Sequence, residues 1–189
     1  MIDMGLDWSQ IDILSPVLCY VEHLHLVSNR CSYIFSQYKL PKDDFKLLKF
    51  INLEDNGILS WDEVDEFRKL KNLKRLTLNK NHIQKIRYRQ GWPELYMLSI
   101  EDNFIDNWAS VDQLNEFPQI RSLRIGGNEV WNSTKERARD LVIARCQFLT
   151  TLNGTHFTES ERRESELYYL QFALKDFLTE SNQKSISDI

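Results

Sequence analysis

The chain has 189 residues, enough for one domain with a core of its own. Hydrophobic residues make up 42%, charged residues 28% and aromatic residues 12%, proportions that exclude disordered, collagenous and fibrous chains. A formal net charge of -4 and a pI near 5.6 disfavour broad polycationic binding along nucleic acid and leave room only for a local basic patch.

At the N-terminus, Asp3, Asp7 and Asp12 stand where a secretory leader would carry bases, and no apolar run in the chain is long enough to cross a bilayer. A cytoplasmic protein without a membrane anchor is expected. Trp8, Ile11, Leu14 and Val17 recur at spacing three and predict a helix, with Asp7 as its N-cap. The chain opens almost directly into this helix. Either the helix is a minimal cap, or the chain is one piece of a longer protein.

Five segments then line up, starting at Val21, Leu48, Leu73, Leu95 and Ile120, each reading L-x-x-L-x-L-x-x-N-x-[ILVC]. The steps of 27, 25, 22 and 25 residues fit one structural repeat each. Alternation puts Leu24 and Leu26, Leu76 and Leu78, and Leu123 and Ile125 on the inner side of short strands. Asn29, Asn56, Asn81, Asn103 and Asn128 fall where the chain turns inward, and each amide can satisfy backbone groups that the turn leaves unpaired. They are read as structural.

Between the strands the apolar stripe returns at Trp61, Val64, Phe67 and Leu70 and at Trp108, Val111, Leu114 and Phe117, with Ser60 and Glu63 as a capping box and Asn107 as an N-cap. These predict convex-side helices with core tryptophans. The 22-residue step has no room for one, and Gly91-Trp92-Pro93 predicts a tight return there. That return carries the basic run Lys80, His82, Lys85, Arg87 and Arg89 beside Tyr88 and Trp92, read as a solvated rim before a contact with RNA or with an acidic protein tail. A sixth start at Leu149, in LTTLNG, breaks the pattern.

After Val130, KERARDLVIARC predicts a capping helix with Ala138, Leu141, Val142 and Cys146 on its buried face. Thr158 and Glu161 form a capping box for a further helix that carries Leu167, Leu170 and Leu174 and covers the open edge. From Thr179 the chain turns polar and is expected to fray.

The pattern is that of leucine-rich repeats. The expected fold is an α/β leucine-rich repeat solenoid, a right-handed α/β superhelix with a curved parallel sheet on its concave face, helices on its convex face and a C-terminal helical cap. One domain covers residues 1–178, with the cap over about 130–178 and a polar tail at 179–189.

The segment WASVDQLNEFPQIRSLRIGGNEV, then R-x-L-V-I-A-R at Arg139 to Arg145, L-N-G at Leu152 to Gly154 and E-R-R-E-x-E-L-x-Y at Glu161 to Tyr169, resembles the last repeat and cap of the tubulin-binding cofactor E family and its cofactor E-like relatives. The resemblance implies a cytoplasmic, cytoskeleton-associated chaperone that binds α-tubulin, with other tubulin cofactors as further partners, and takes part in assembling or dismantling the α/β heterodimer. A similar cap occurs in spliceosomal, axonemal dynein light chain and phosphatase-regulatory leucine-rich proteins, which keeps an adaptor of another complex as the alternative.

No phosphate-cradling loop, H-E-x-x-H or G-x-S-x-G pattern is present, so neither an enzyme, nor a cofactor, nor a small-molecule substrate is indicated. Metal binding at His23, His25, Cys19 and Cys31 is disfavoured, because strand and return place them apart. The candidate surface is the concave row: His23, Phe50, Arg75 and Met97 at the third frame position, and His25, Asn52, Thr77, Ser99 and Arg124 at the fifth. Phe50 and Met97, apolar at outward positions, are the expected protein-binding anchors.

Overall fold

The computed structural model describes residues 1–32, 45–132 and 137–187. In each repeat the x-L-x frame gives a three-residue strand whose central side chain turns into the core: β1 (His23–His25), β2 (Phe50–Asn52), β3 (Arg75–Thr77), β4 (Met97–Ser99) and β5 (Ser122–Arg124). Leu24, Ile51, Leu76, Leu98 and Leu123 are the buried centres, and Leu26, Leu53, Leu78, Ile100 and Ile125 bury the next inward position. The strands stack in parallel in sequence order, in a register that aligns His23, Phe50, Arg75, Met97 and Ser122 in one row and His25, Asn52, Thr77, Ser99 and Arg124 in the next.

The sheet does not stop where the repeat consensus does. Thr151 and Leu152 form β6 (Thr151–Leu152), paired parallel with Ser122 and Leu123, and β7 (Thr155–His156) then folds back antiparallel. Asn153 and Gly154 make the hairpin at φ 49° and 81°, the left-handed pair that a tight two-residue turn requires. The sheet thus ends in a short returning strand instead of an open parallel edge.

Each repeat asparagine joins two rungs. The Asn81 Oδ1 accepts from the N–H groups of Asn56 and Ile58 at 3.1 and 3.0 Å, and its Nδ2 donates to the carbonyls of Leu53, Leu78 and Asn79. Asn103 and Asn128 repeat this between the next rungs, accepting from Ile83 and Ile105 and donating back to Leu78 and Ile100. Asn56 accepts from Cys31 and donates to Leu26.

At the first rung, residues 1–6 take the place of a preceding repeat. Asn29 accepts from Met4 and Leu6 at 3.2 and 3.0 Å and donates to the Met1 carbonyl at 3.0 Å. These residues stand at the same offsets from Asn29 as Asn56, Ile58 and Leu53 do from Asn81. An extended half-rung, not the first helix, therefore covers this end of the ladder.

The return segments are shorter than an amphipathic helix reading predicts. The first splits into α1 (Trp8–Ile13) and α2 (Ser15–Leu18), with Asp7 capping the Gln10 N–H. Trp8, Ile11 and Leu18 are buried, whereas Leu14 ends α1 and stays exposed together with Val17, at 68%. The break shifts the inward stripe by one residue. The second return is two 3₁₀ turns, Trp61–Glu63 and Asp65–Lys69, which still bury Trp61, Val64 and Phe67 because their three-residue pitch matches that spacing. Ser60 accepts from Asp62 and Glu63 from Leu59, and burial raises the Glu63 carboxyl above its usual range.

In the fourth rung α3 (Trp108–Asp112) is capped by Asn107 and followed by a 3₁₀ turn. Trp61, Trp92 and Phe117 then pack ring to ring at about 6 Å, 6.0 to 6.1 Å between centroids, behind the sheet.

The third return runs from Asn81 to Leu95 without helix, as Gly91-Trp92-Pro93 predicts. Gly91 at φ 141° lies against Arg68, where a Cβ would come within 2.9 Å of the Arg68 backbone oxygen. Two members of its basic run are paired with acids, while His82, Lys85 and Arg87 are exposed. Lys80 pairs with Glu54, and Arg89 pairs with Asp62 and the buried Asp65. Trp92 is core and Tyr88 packs edge-on against Phe117, so neither ring is free for a base.

The cap begins with α4 (Glu129–Asn132) and α5 (Ala138–Arg145); the first residues of the expected helix, Lys135 and Glu136, lie outside the described residues. Ala138, Leu141, Val142 and Cys146 are buried, and Ile143 joins them. Thr158 caps Glu161 at the start of α6 (Glu159–Ser187), which continues past Thr179, where fraying is the expectation from polarity alone. Its inward side is polar and aromatic: Ser165 is fully buried and donates to Asp140. Leu167, Leu170 and Leu174 face out, 60%, 57% and 60% exposed, on the side opposite Ser165.

Replacing Asn81 by Ala leaves several buried backbone groups unpaired and is expected to cost about 3 kcal/mol in urea unfolding, against about 1 kcal/mol for Asn29→Ala at the less buried first rung. Equal costs would show that the ladder does not carry the stack. Burial also pushes the Cys31 and Cys146 thiols up to about 12. Alkylation at pH 8 followed by mass spectrometry should then mark Cys19 alone in the native chain and all three cysteines in denaturant.

The concave sheet as candidate functional site

Strand alternation sends every second side chain to the concave face, so this surface is set by repeat frame and register rather than by any single loop. The two outward rows differ along their length. At the N-terminal end Phe50 is the centre: the His23 and His25 rings meet it edge-on, with centroids at 5.9 and 5.0 Å, and the Arg75 guanidinium lies over its face at 4.6 Å. The geometry is that of a cation–π contact made by an exposed arginine.

At the other end the polar side chains bind one another. The Ser99 hydroxyl donates to the Asn79 Oδ1 at 2.8 Å, that oxygen also accepts from the Glu101 N–H, and Arg124 reaches Glu101 at 3.7 Å. Ser99, expected outward and open, is only 2% exposed. It is a small side chain set in register between Thr77 and Arg124 and satisfied by Asn79. Met97, Asn52 and Thr77 are half-buried, and the Asn52 Oδ1 accepts from the Glu54 N–H at 2.9 Å. His23, His25 and Arg75 are exposed.

Sequence reading overlooked the residue before each strand. Glu22, Lys49, Lys74, Tyr96, Arg121 and Thr150 form a lip along the strand starts. Lys49 bonds Glu22 at 2.7 Å and holds its carboxyl below the usual range. Lys74 and Arg75 have no ion-pair partner among the described residues. Beyond the strand ends the sign reverses: Glu54, Asp55, Glu101 and Asp102 line the bends, with Lys80 bonded to Glu54 and raised above its usual range by that bond. Spacing alone could have shown this, since the lip occupies one fixed frame position in every repeat.

Among the described residues no group of three or more His, Cys, Asp or Glu is placed to hold a metal ion. Cys31 is buried beneath the strand row, and its thiol faces the Leu6 carbonyl rather than the outward histidines. No helix among the described residues is long and apolar enough to cross a membrane.

Comparison with known proteins agrees with this architecture. The chain is 31% identical over 191 aligned positions to tubulin-folding cofactor E of Arabidopsis thaliana, an alignment covering 95% of this chain and 36% of the relative. It thus spans about a third of the length of the curated relative it matches. A solved chain from the Drosophila melanogaster SNF/U2A' complex shares the fold with a TM-score of 0.61 and 23% identity, over 79% of this chain and 84% of that one. The pattern of the leucine-rich repeat family matches residues 40–179, and the chain belongs to that family.

Proposed function

We propose that this chain is the protein-binding module of a tubulin-folding cofactor and holds α-tubulin against its concave sheet while the α/β heterodimer is assembled or dismantled. The observation that carries the reading is the 31% identity to tubulin-folding cofactor E, sustained over 95% of the chain rather than confined to the repeat consensus. The role is that of a scaffold in the cytoplasm, acting on the cytoskeleton's building block alongside other tubulin cofactors, with no reaction of its own. A parallel strand row presents side chains at fixed spacing with little backbone freedom, which lowers the entropic cost of binding a folded partner.

A ribonucleoprotein adaptor, a dynein adaptor or a phosphatase adaptor is the other reading of such a scaffold. Its RNA-binding form would have to use the basic return. Lys80 and Arg89 are paired with Glu54, Asp62 and Asp65, and Trp92 is buried, which reduces the cations and rings of the basic return that RNA could use to Lys85, Arg87 and the His82–Phe104 pair.

Immobilised chain should retain purified α/β-tubulin at both low and raised salt, and structured RNA at neither. Failure of tubulin to bind the chain at either salt would overturn the assignment. Changing Phe50 and Met97 together to Ser should weaken tubulin binding by about tenfold or more while far-UV circular dichroism stays unchanged. Unaltered affinity would remove the concave face from the interface.

A further inference from the structure

The concave sheet and its lip carry Lys49, Lys74, Arg75, Arg121 and Arg124 against the single carboxylate of Glu22, in a chain whose overall formal charge is -4. The cations are not equally available. Lys49 is engaged by Glu22 and Arg124 by Glu101. Arg121 stacks on Phe148 at 5.4 Å and donates to its neighbour's carbonyl. Lys74 and Arg75 remain, side by side at the start of β3, with no acid paired to either among the described residues.

Arg75 is also preorganised. Its contact with the Phe50 face restricts the guanidinium, and a guanidinium carries parallel N–H donors in the geometry that a carboxylate accepts. Phe50 itself is braced by the imidazole edges of His23 and His25. Apolar surface for a neighbouring aliphatic side chain is supplied by Met97, which stands next to Arg75 in the same row.

We infer that the β1–β4 half of the concave face is a receptor for a carboxylate-rich, extended segment of the partner protein, with Arg75 clamping one carboxylate, Lys74 attracting a second and Met97 with Phe50 seating an apolar residue between them. Charge complementarity commits the surface to this occupant. A basic segment would meet the uncompensated Arg75 and Lys74. A neutral apolar one would have to strip water from them without return. The acidic bends at Glu54, Asp55, Glu101 and Asp102 add direction, since they repel the segment from the strand ends and confine it to the lip. This inference rests on the concave-face reading above and adds the chemistry of what binds there.

The test uses the whole chain and a fluorescein-labelled peptide of sequence Glu-Glu-Leu-Glu-Glu-Leu-Glu-Glu, with Gln-for-Glu and Lys-for-Glu versions as controls, followed by anisotropy. The Glu peptide should bind, the Lys peptide should not, and raised salt should weaken the complex without abolishing it. Arg75→Glu should lower affinity about tenfold or more and Arg75→Lys nearly as much, because lysine has no such fork of donors. Arg124→Ala should change it by less than about twofold, since Glu101 already occupies that cation. Equal affinity for the Glu and Gln peptides, or an Arg75→Glu variant that binds as the unaltered chain does, would overturn the inference. If Arg75→Glu still captures α/β-tubulin at full strength while the peptide is ignored, the inference falls and the scaffold reading survives.

Discussion

A solenoid rung ends in a bend that leaves buried N–H and C=O groups on two neighbouring rungs at once, and in this chain one carboxamide per rung closes both sets. Everything else in the architecture depends on that arrangement. The residue before each asparagine, Ser28, Asp55, Lys80, Asp102 and Gly127, sits at φ between 53° and 75°, a conformation that costs a non-glycine residue about 1 kcal/mol. It persists because the N–H groups of Ser28, Asp55, Lys80 and Asp102 donate to a carbonyl of the following rung, at 2.9 to 3.0 Å. The bend and the stacking are one cooperative unit. A rung alone would have neither its strand partner nor the amide that satisfies its turn.

This division of labour frees the concave face. Since the fold is held by inward aliphatics and by the asparagine ladder, the third and fifth frame positions and the lip before them are left to chemistry. The result is a separation of charge across the sheet, with cations along the strand starts and carboxylates at the bends beyond their ends. The same sheet is internally graded. Ser99, Asn79, Glu101 and Arg124 engage one another, whereas Arg75, over the Phe50 ring, has no ion-pair partner among the described residues.

Period and spacing made the solenoid legible in the sequence, because a rung is specified by residues a few positions apart. The five strands, their shared register and the asparagine positions all follow from that local grammar. What stayed hidden depends on contacts between distant rungs. The half-rung of residues 1–6 has no leucine frame to betray it and is defined by hydrogen bonds to Asn29, to the Val27 carbonyl and from the Arg30 N–H. The strand at Thr151 lacks the consensus and exists because β5 offers it a ladder. Leu14 and Val17 share the spacing of buried residues, yet a break in the helix turns them out. Ser99 shows the same limit at the candidate site, since alternation gives its direction but not the neighbours that cover it.

The cap segments on which the resemblance to the tubulin cofactors rests are structural joints. Arg139 bonds Glu161 at 2.7 Å and the Leu152 carbonyl. Arg145 grips Asp112 through both carboxylate oxygens and stacks on Trp108 and Tyr169, tying the last repeat to both cap helices. Arg162 closes the end of α5 through the carbonyls of Ile143, Cys146 and Leu149. These guanidiniums are consumed inside the fold, so the motifs that carry the resemblance report how the solenoid is closed and not what it grips. Discrimination between partners must then be written in side chains that no rung needs for stability. Under the proposed function that part falls to the outward residues of β1 to β4, whose side chains make none of the hydrogen bonds of the asparagine ladder.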